Sequence, residues 1–309
     1  MFTYLLIFLF LGFLALIAQS RQALLANHFQ SLRLNPLWWL LFIFLTFFIG
    51  LRHKAGGDWG SYAVYLAEMQ ETNFSDGLII TGDPGYYLVN WLVSSFGLSI
   101  YAVNIFCGLI FSIGLVLFCR SLPRPLLALV AAFPYMVIVV AMGYSRQGVA
   151  LGLAMIALVL LGREKRIWFI IFILFATSFH KTAFILLPIA ALAATKNRFL
   201  ILLWVSIVGL TTYYSLLAES FDRLYLYYVT HTYSSQGALV RLMMLLIPSL
   251  LLIIWPHRFK FARSELILWR VVAFLSMGLF ILYFFTDAST AVDRIALYML
   301  PIQLVVFSF

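Results

Sequence analysis

The sequence predicts an all-α fold, a polytopic bundle of transmembrane helices that occupies the whole of residues 1–309 as a single membrane domain. Of the 309 residues, 64% are hydrophobic and only 10% are charged, whereas soluble domains have about 45–50% and about 25%. Long, nearly uncharged runs recur along the whole chain, so a single signal peptide or anchor does not explain the composition. Short basic clusters separate these runs, as in multi-pass membrane proteins.

About ten crossings, with additional re-entrant or interfacial helices, are predicted from the hydrophobic runs. The predicted segments cover about residues 2–18, 36–51, 99–119, 126–142, a run from Gly143-Tyr144 to the basic GREKR sequence, 199–214, 239–255, 266–285 and a last run from Ile295. The last run is still apolar at Phe309, as in a chain that stops before its natural end, and whether residues beyond 309 complete the site stays open.

Two segments are predicted to depart from simple crossing helices. Residues 52–84, between two apolar segments, carry five glycines and five acidic residues and form the predicted extracytoplasmic loop. The apolar run 86–96 is too short to cross about 30 Å of hydrocarbon and is predicted to be interfacial or re-entrant. Residues 166–196 have basic residues at both ends, which predicts a hairpin whose apex lies near Phe179-His180-Lys181.

The distribution of charge predicts the orientation. Basic clusters at 21–33, 120–124, 163–166, 196–198 and 258–263 alternate with segments that hold all of the acidic residues except Glu164 and Glu265. Because positive residues concentrate on the cytoplasmic side of membrane proteins, these clusters are predicted to be cytoplasmic and the N-terminus to lie outside. The net charge of +9 therefore reflects orientation, and no nucleic-acid partner is expected.

Four arginines on the outer side are candidate ligands of an anion. They are Arg52, Arg146, Arg241 and Arg294, which stand at the outer ends of different spans. Placing an arginine in a membrane helix costs free energy, about 2.5–3.5 kcal/mol at mid-span, so such a residue usually has a functional role. Guanidinium groups match phosphate oxygens in geometry and charge. The alternative is that each arginine pairs with Asp58, Asp222, Asp287 or Asp293, or reaches the lipid headgroups.

His180 and Asp58 are the candidate proton acceptors. His180 lies beside Lys181 at the predicted hairpin apex, and imidazole transfers protons near neutral pH. Asp58 lies in the glycine-rich sequence HKAGGDWGSY just after a span. The alternatives are that His180 is a buried hydrogen-bonding group and that Asp58 pairs with Arg52 or Lys54.

Aromatic and polar residues near the same end are candidate sugar contacts. They are Trp59, Tyr62, Asp83, Tyr144, Gln147 and Asp293. Interfacial aromatic belts are the alternative explanation for the tryptophan and tyrosines. The sequence has no DxD, HExxH, CxxC pair, Walker loop or GxSxG motif, so neither a metal nor a cofactor is expected.

Four motifs occur in order along the chain: Arg52 followed by GGDWGSYAVY, then SRQGVALGLAMIAL, FHKTAFILLP and DRIALY. Together they resemble those of the EpsG-like group of Wzy-type polysaccharide polymerases over roughly residues 50–300. The resemblance implies a GT-C-like helical architecture in the bacterial inner membrane, with the site facing the periplasm. It also implies a role in O-antigen, capsule or exopolysaccharide assembly.

The resemblance further implies substrates and roles. The donor would be a glycan on undecaprenyl pyrophosphate and the acceptor a lipid-linked repeat unit, with membrane lipids and a chain-length regulator protein as partners. Arg52, Arg146, Lys181, Arg241 and Arg294 would bind pyrophosphate. Asp58 or His180 would deprotonate the acceptor hydroxyl.

Three other functions remain open from the sequence. A related lipid-linked glycosyltransferase or O-antigen ligase would differ in product length. A flippase for lipid-linked sugars should have charged residues along a path between both faces. A membrane O-acyltransferase using His180 would need a route for an acyl donor.

Overall fold

A computed structural model describes residues 2–22, 35–69, 83–193, 198–212, 237–286 and 289–309 of the chain. All regular structure within these ranges is helical. The α-helices are α1 (Phe2–Gln22), α2 (Pro36–Gly50), α3 (Trp59–Glu68), α4 (Pro84–Ser95), α5 (Ile100–Arg120), α6 (Pro125–Ala132), α7 (Ser145–Gly162), α8 (Arg166–Phe179), α9 (Leu187–Leu192), α10 (Arg198–Thr212), α11 (Ala238–Ile254), α12 (Arg263–Tyr283), α13 (Ser289–Leu297) and α14 (Pro301–Phe307). A π-helix covers Phe133–Ala141, and 3₁₀-helices cover Lys181–Leu186 and Pro256–Arg258.

Proline and capping residues set several helix starts. The Asn35 side chain accepts a hydrogen bond of 3.1 Å from the backbone N–H of Trp38, and Pro36 is the first residue of α2. Asparagine caps a helix in this way, and proline fits the first turn because it has no N–H to leave unpaired. A proline is likewise the first residue of α6, at Pro125, and of α14, at Pro301.

The predicted membrane segments and the observed helices agree closely in position. The predicted apex of the 166–196 segment is confirmed as a break, because α8 ends at Phe179 and His180 has an extended backbone, with φ −155° and ψ 115°. The predicted loop 52–84 contains the helix α3, and the predicted segment 126–142 continues from α6 into the π-helix. Neither of these two features follows from hydropathy.

The last predicted span, which runs from Ile295, begins earlier in the structure and is broken. The helix α13 already begins at Ser289 and ends at Leu297, and α14 follows after a bend of 49°. Pro301 explains the break, because it lacks a backbone N–H and its ring clashes with a continuing helix.

Within the described residues, three helices are long and apolar enough to cross a membrane: α5, α7 and α12. The bent pair α13 and α14 would make a fourth, and several shorter apolar helices accompany them. Large apolar side chains such as Phe199 and Phe285 are exposed, as expected for surfaces that contact lipid. The chain is thus a helical membrane protein, and the count of about ten crossings stays a prediction.

The chain divides into two compact units. The single membrane domain over residues 1–309 stays a prediction. The first unit comprises residues 1–81, 85–156 and 307–309. In it, α2 packs along α5 and α1 packs on α6. Close approach of α5 and α7 depends on glycines, since a Cβ at Gly114 would lie 2.1 Å from the carbonyl oxygen of Gly152. Small residues allow such contacts between membrane helices.

The second unit comprises residues 82–84 and 157–306. Its core is the pair α11 and α12, on which α13 packs. Pro248 lies inside α11 and has no N–H to donate to the carbonyl of Met244, one turn earlier. The Gln303 side chain from α14 donates to that carbonyl at 2.7 Å. A glutamine therefore replaces the missing helical hydrogen bond and ties α14 to α11.

We expect Gln303→Leu to lower the free energy of unfolding by about 1–3 kcal/mol, because it leaves the part-buried Met244 carbonyl unpaired. In a Pro248→Ala background the introduced alanine supplies an N–H to this carbonyl, so the same substitution should cost much less. Thermal unfolding of the four purified variants in detergent measures the difference. Equal costs in both backgrounds would contradict this role of Gln303.

Candidate functional site

Arg52 links four elements of the first unit. It lies two residues after the end of α2 and is only 4% exposed. One terminal nitrogen donates to the Ala141 carbonyl at the end of the π-helix, at 3.1 Å. The other donates to Asn104 Oδ1 in α5 at 3.1 Å and to Ser145 Oγ at the start of α7 at 2.6 Å. Its guanidinium carbon also lies 5.8 Å from the centroid of the Trp59 ring at the start of α3.

All of these hydrogen-bond acceptors are neutral. Arg52 forms no ion pair with any residue in the described ranges, and burial lowers the pKa of its guanidinium below the ordinary value. A buried charge is costly unless it is compensated. The first unit thus holds a buried positive charge that is fixed in place and has no carboxylate beside it among the described residues.

The loop after Arg52 packs against the break between the π-helix and α7. Gly56 has φ +91°, which side chains rarely adopt, and a Cβ there would lie 2.6 Å from the Gly143 Cα. The loop ends at Asp58, the residue before α3, whose half-buried carboxylate does not cap the helix. It also forms no ion pair within the part of the chain that the structure describes.

Arg146, in the first turn of α7, lies against two tyrosines. Its guanidinium carbon is 5.8 Å from the ring centroid of Tyr62 and 5.8 Å from that of Tyr86. Both rings are almost fully buried, and a guanidinium over an aromatic face is attracted by the ring quadrupole. This contact holds the Arg146 guanidinium at the start of α7.

Two opposite charges affect the pKa of the Tyr62 hydroxyl. Burial raises the pKa of this phenol, the Arg146 charge lowers that pKa, and the Asp58 charge raises it. Burial also raises the pKa of Tyr86 well above its ordinary value. Both tyrosines are therefore neutral near pH 7, and Asp58 and Arg146 are two charged groups that act on Tyr62.

Tyr144 and Gln147 flank the same break. Tyr144 is half-buried, and its N–H donates to the Val140 carbonyl at 2.8 Å while its own carbonyl accepts from the Gly148 N–H at 2.8 Å. Gln147 is half-buried in the first turn of α7. Both residues thus belong to the segment that carries Ser145 and Arg146.

In the second unit, His180 occupies the break after α8. It is 8% exposed, and the half-buried Lys181 begins the following 3₁₀-helix. Thr182 donates to the Tyr298 hydroxyl at 3.4 Å, and this 3₁₀-helix packs against α13. The FHKT and DRIALY motifs, far apart in sequence, therefore meet in one unit.

Arg241 and Asp293 form an ion pair between α11 and α13. An Arg241 terminal nitrogen lies 2.8 Å from Asp293 Oδ1 and donates to the Asp293 backbone carbonyl at 2.9 Å. Both residues are buried, so the pair is close to neutral as a whole. Pairing with Asp293 was one of the two explanations open for Arg241. Arg294 follows in the last turn of α13 and is half-buried.

The predicted site residues thus fall into two groups, one in each unit. Asp83, the buried residue before Pro84, belongs to the second. The first group is Arg52, Asp58, Trp59, Tyr62, Tyr144, Arg146 and Gln147, and the second is Asp83, His180, Lys181, Arg241, Asp293 and Arg294. Two of the considered carboxylate partners, Asp222 and Asp287, lie outside the described residues.

Sequence reasoning missed Asn104 and Ser145 as parts of the site. Both are buried polar residues that bind Arg52, and they also contact each other at 3.4 Å. A signal was available, because Asn104 is an asparagine within an apolar span, where polar side chains need a partner. Which partner it has depends on the packing of α2 on α5.

The model of the EpsG family matches residues 36–309. The chain belongs to the EpsG family. Membership supports a role of the polysaccharide-polymerase type in a membrane. Comparison with curated proteins and with solved structures found no match. The match to the EpsG family includes every residue of the two groups described above and begins after α1.

We expect Asn104→Leu to lower the free energy of unfolding by about 1.5–3 kcal/mol, because Arg52 loses a charge-assisted hydrogen bond in a buried place. The cost should shrink in an Arg52→Leu background, where the charge is gone. Thermal unfolding in detergent gives the coupling. Thr46→Val, which removes a buried hydroxyl bonded within its own helix, is the control and should not couple to Arg52.

Two substitutions of Tyr62 separate the contribution of its aromatic face to activity from that of its hydroxyl. Tyr62→Phe keeps the face over which Arg146 lies and should retain most activity. Tyr62→Leu removes it and should reduce activity by between a few-fold and about 30-fold, the equivalent of about 0.5–2 kcal/mol. Polymer yield in cells with equal protein levels is the measurement. If the two variants behave alike, the contact between Arg146 and Tyr62 is not what activity requires.

Proposed function

We propose that this protein is a polysaccharide polymerase that transfers a glycan from undecaprenyl pyrophosphate to a lipid-linked repeat unit. The reaction would take place on the outer face of the bacterial inner membrane. The observation that carries the proposal is the group of Arg52, Arg146 and Asp58 in the first unit. In this group, Arg52 is a buried guanidinium held by neutral acceptors, Arg146 lies against Tyr62, and the charges of Arg146 and Asp58 both act on Tyr62.

In the proposed reaction, a hydroxyl oxygen of the acceptor sugar attacks the anomeric carbon of the donor glycan. The new glycosidic bond forms as the bond from the anomeric carbon to the pyrophosphate oxygen breaks. The bonding electrons leave with the lipid pyrophosphate, and the hydroxyl proton passes to a base. No oxidant, reductant or further substrate is needed.

Arg146 would stabilise the pyrophosphate as its negative charge grows. Preorganised donors aimed at developing charge give some of the largest effects in catalysis, and the two tyrosine faces restrain Arg146. Arg52 would add positive potential at the start of α7 through its bond to Ser145. We propose that these guanidinium charges take the part that a metal ion plays in other pyrophosphate reactions.

Asp58 is the base we propose. It has no ion pair with a described residue to hold its charge, and it lies in the same group as Arg146. His180 remains the alternative base, and Lys181, Arg241 and Arg294 remain predicted pyrophosphate ligands. Among these, Arg241 already contacts a carboxylate.

Trp59, Tyr144 and Gln147 would then contact the sugars, since they surround Asp58 and Arg146 in sequence and belong to the same unit. Asp83 and Asp293 remain predicted sugar contacts in the second unit. We propose a chain-length regulator as a protein partner.

The test is complementation of a deletion strain with single variants at equal protein levels, with lipid-linked and surface glycans resolved by gel. Arg146→Ala and Asp58→Asn should leave single repeat units in place of long chains. We expect losses of about 100-fold or more, as for removal of a charge-stabilising or proton-accepting group. Arg146→Lys should be impaired but active, because it keeps the charge and loses the planar fork.

Arg270→Ala is the matched control, since it removes an exposed arginine from the middle of α12. It should leave chain length unchanged. The polymerase proposal fails if deletion of the gene does not shorten the glycans. Accumulation of repeat units on the cytoplasmic side would indicate a flippase, and loss of an acyl group alone would indicate an acyltransferase. Chains of normal length that stay on lipid would indicate a ligase.

A further inference from the structure

An open cavity lies beside Arg52 in the first unit. It has a volume of about 500 Å³. Its lining residues are Thr3, Tyr4, Phe47, Phe48, Leu51, Arg52 and Met142. Arg52 is the only charged residue among them, so the cavity joins uncharged walls from α1 and α2 to one buried cation.

A second cavity of about 380 Å³, lined only by apolar residues and glycine, lies farther along α1. Its lining residues are Phe8, Leu9, Gly12, Phe13, Ala15, Leu16 and Leu127. Tyr4, Phe8, Gly12 and Ala15 follow one another at intervals of four or three residues, which places them on one face of the helix. We name this face, with the two cavities on it, the α1 furrow.

The α1 furrow has the dimensions of a path for a lipid chain. From Tyr4 to Leu16 the helix rises by about 18 Å, more than half of the roughly 30 Å thickness of the hydrocarbon. The furrow is apolar along this length and cationic at one end, where Arg52 has no carboxylate partner among the described residues. The matching occupant has a hydrocarbon chain and an anionic phosphate head.

The cationic end adjoins the proposed site. Arg52 donates to Ser145, and Ser145 directly precedes Arg146. A phosphate-headed lipid in the α1 furrow would therefore carry its head group toward the residues proposed to bind pyrophosphate. This continuity favours a lipid substrate over bulk phospholipid.

We propose that the polyprenyl chain of a lipid-linked substrate lies in the α1 furrow with its phosphate end at Arg52, an inference that rests on the proposed function. The match to the EpsG family begins after α1, so the furrow adds an element that the family match does not cover. In this proposal, α1 helps to bind the lipid chain of the substrate.

Gly12 provides the decisive substitution. Gly12 lines the second cavity, and a Cβ at Gly12 would meet no atom within 4 Å. The larger side chain of Gly12→Leu should therefore occupy part of the furrow, whereas Gly12→Ala adds only a methyl group. Gly278 in α12 also has nothing within 4 Å. Gly278→Leu is therefore a matched control that adds the same side chain elsewhere.

The experiment uses the full-length protein in phosphatidylcholine nanodiscs with undecaprenyl pyrophosphate that carries a diazirine in its tail. After illumination, mass spectrometry locates the labelled peptides. We expect labels on residues 4–16, reduced by about tenfold in Gly12→Leu and unchanged in Gly12→Ala and Gly278→Leu. Arg52→Gln should also weaken labelling, and unlabelled undecaprenyl pyrophosphate should compete while phosphatidylglycerol should not.

Three outcomes would overturn the inference: labels only outside α1, labelling unaffected by Gly12→Leu, or equal competition by phosphatidylglycerol, which would indicate bulk lipid. Thermal unfolding of Gly12→Leu checks its fold, and a misfolded variant is replaced by Phe8→Trp, which narrows the same furrow. Labelling needs no turnover, so the result is independent of the chain-length assay. Labels on α1 together with glycans of normal length in the deletion strain would contradict the polymerase proposal alone, whereas shortened glycans without labels on α1 would contradict the α1 furrow alone.

Discussion

The first unit depends on one buried cation. Arg52 joins the end of α2 to α5, to the end of the π-helix and to the start of α7. A guanidinium can do this because its donors point outward in one plane toward several acceptors at once. The geometry requires an asparagine and a serine to be buried in otherwise apolar helices. It also requires the helix to stop before Ser145 so that the Ala141 carbonyl remains available.

Interrupted helices recur wherever polar residues gather in this protein. The π-helix ends in the break at Tyr144, α8 breaks at His180, and α13 breaks before Pro301. In a membrane, irregular backbone is tolerated only where protein or water satisfies its polar groups. In this protein, side chains form some of those hydrogen bonds. Gln303, for example, donates to the Met244 carbonyl, which receives no hydrogen bond from Pro248. Polar side chains and helix breaks are therefore two aspects of one constraint.

Much of the fold could be predicted, because hydrophobic runs, prolines and basic clusters are local signals. The helix positions and the break near His180 follow from them, as does the placement of Arg52 and Arg146 at helix ends. The π-helix, the helix α3 and the early start of α13 could not be predicted, since each depends on neighbouring helices. The candidate site was predicted as a set of residue types, without the partners that distinguish one arginine from another.

The sequence by itself determined that this is a helical membrane protein of the EpsG family and which residues were candidates for chemistry. Those conclusions rest on composition, spacing and short motifs, all of which are carried by neighbouring residues. Only the tertiary structure decided that Arg52 binds neutral acceptors, that Arg146 lies over Tyr62 and Tyr86, and that Arg241 pairs with Asp293. The reason is physical: the partner of a buried charge is chosen by which helices pack together, and residues far apart in the chain supply it.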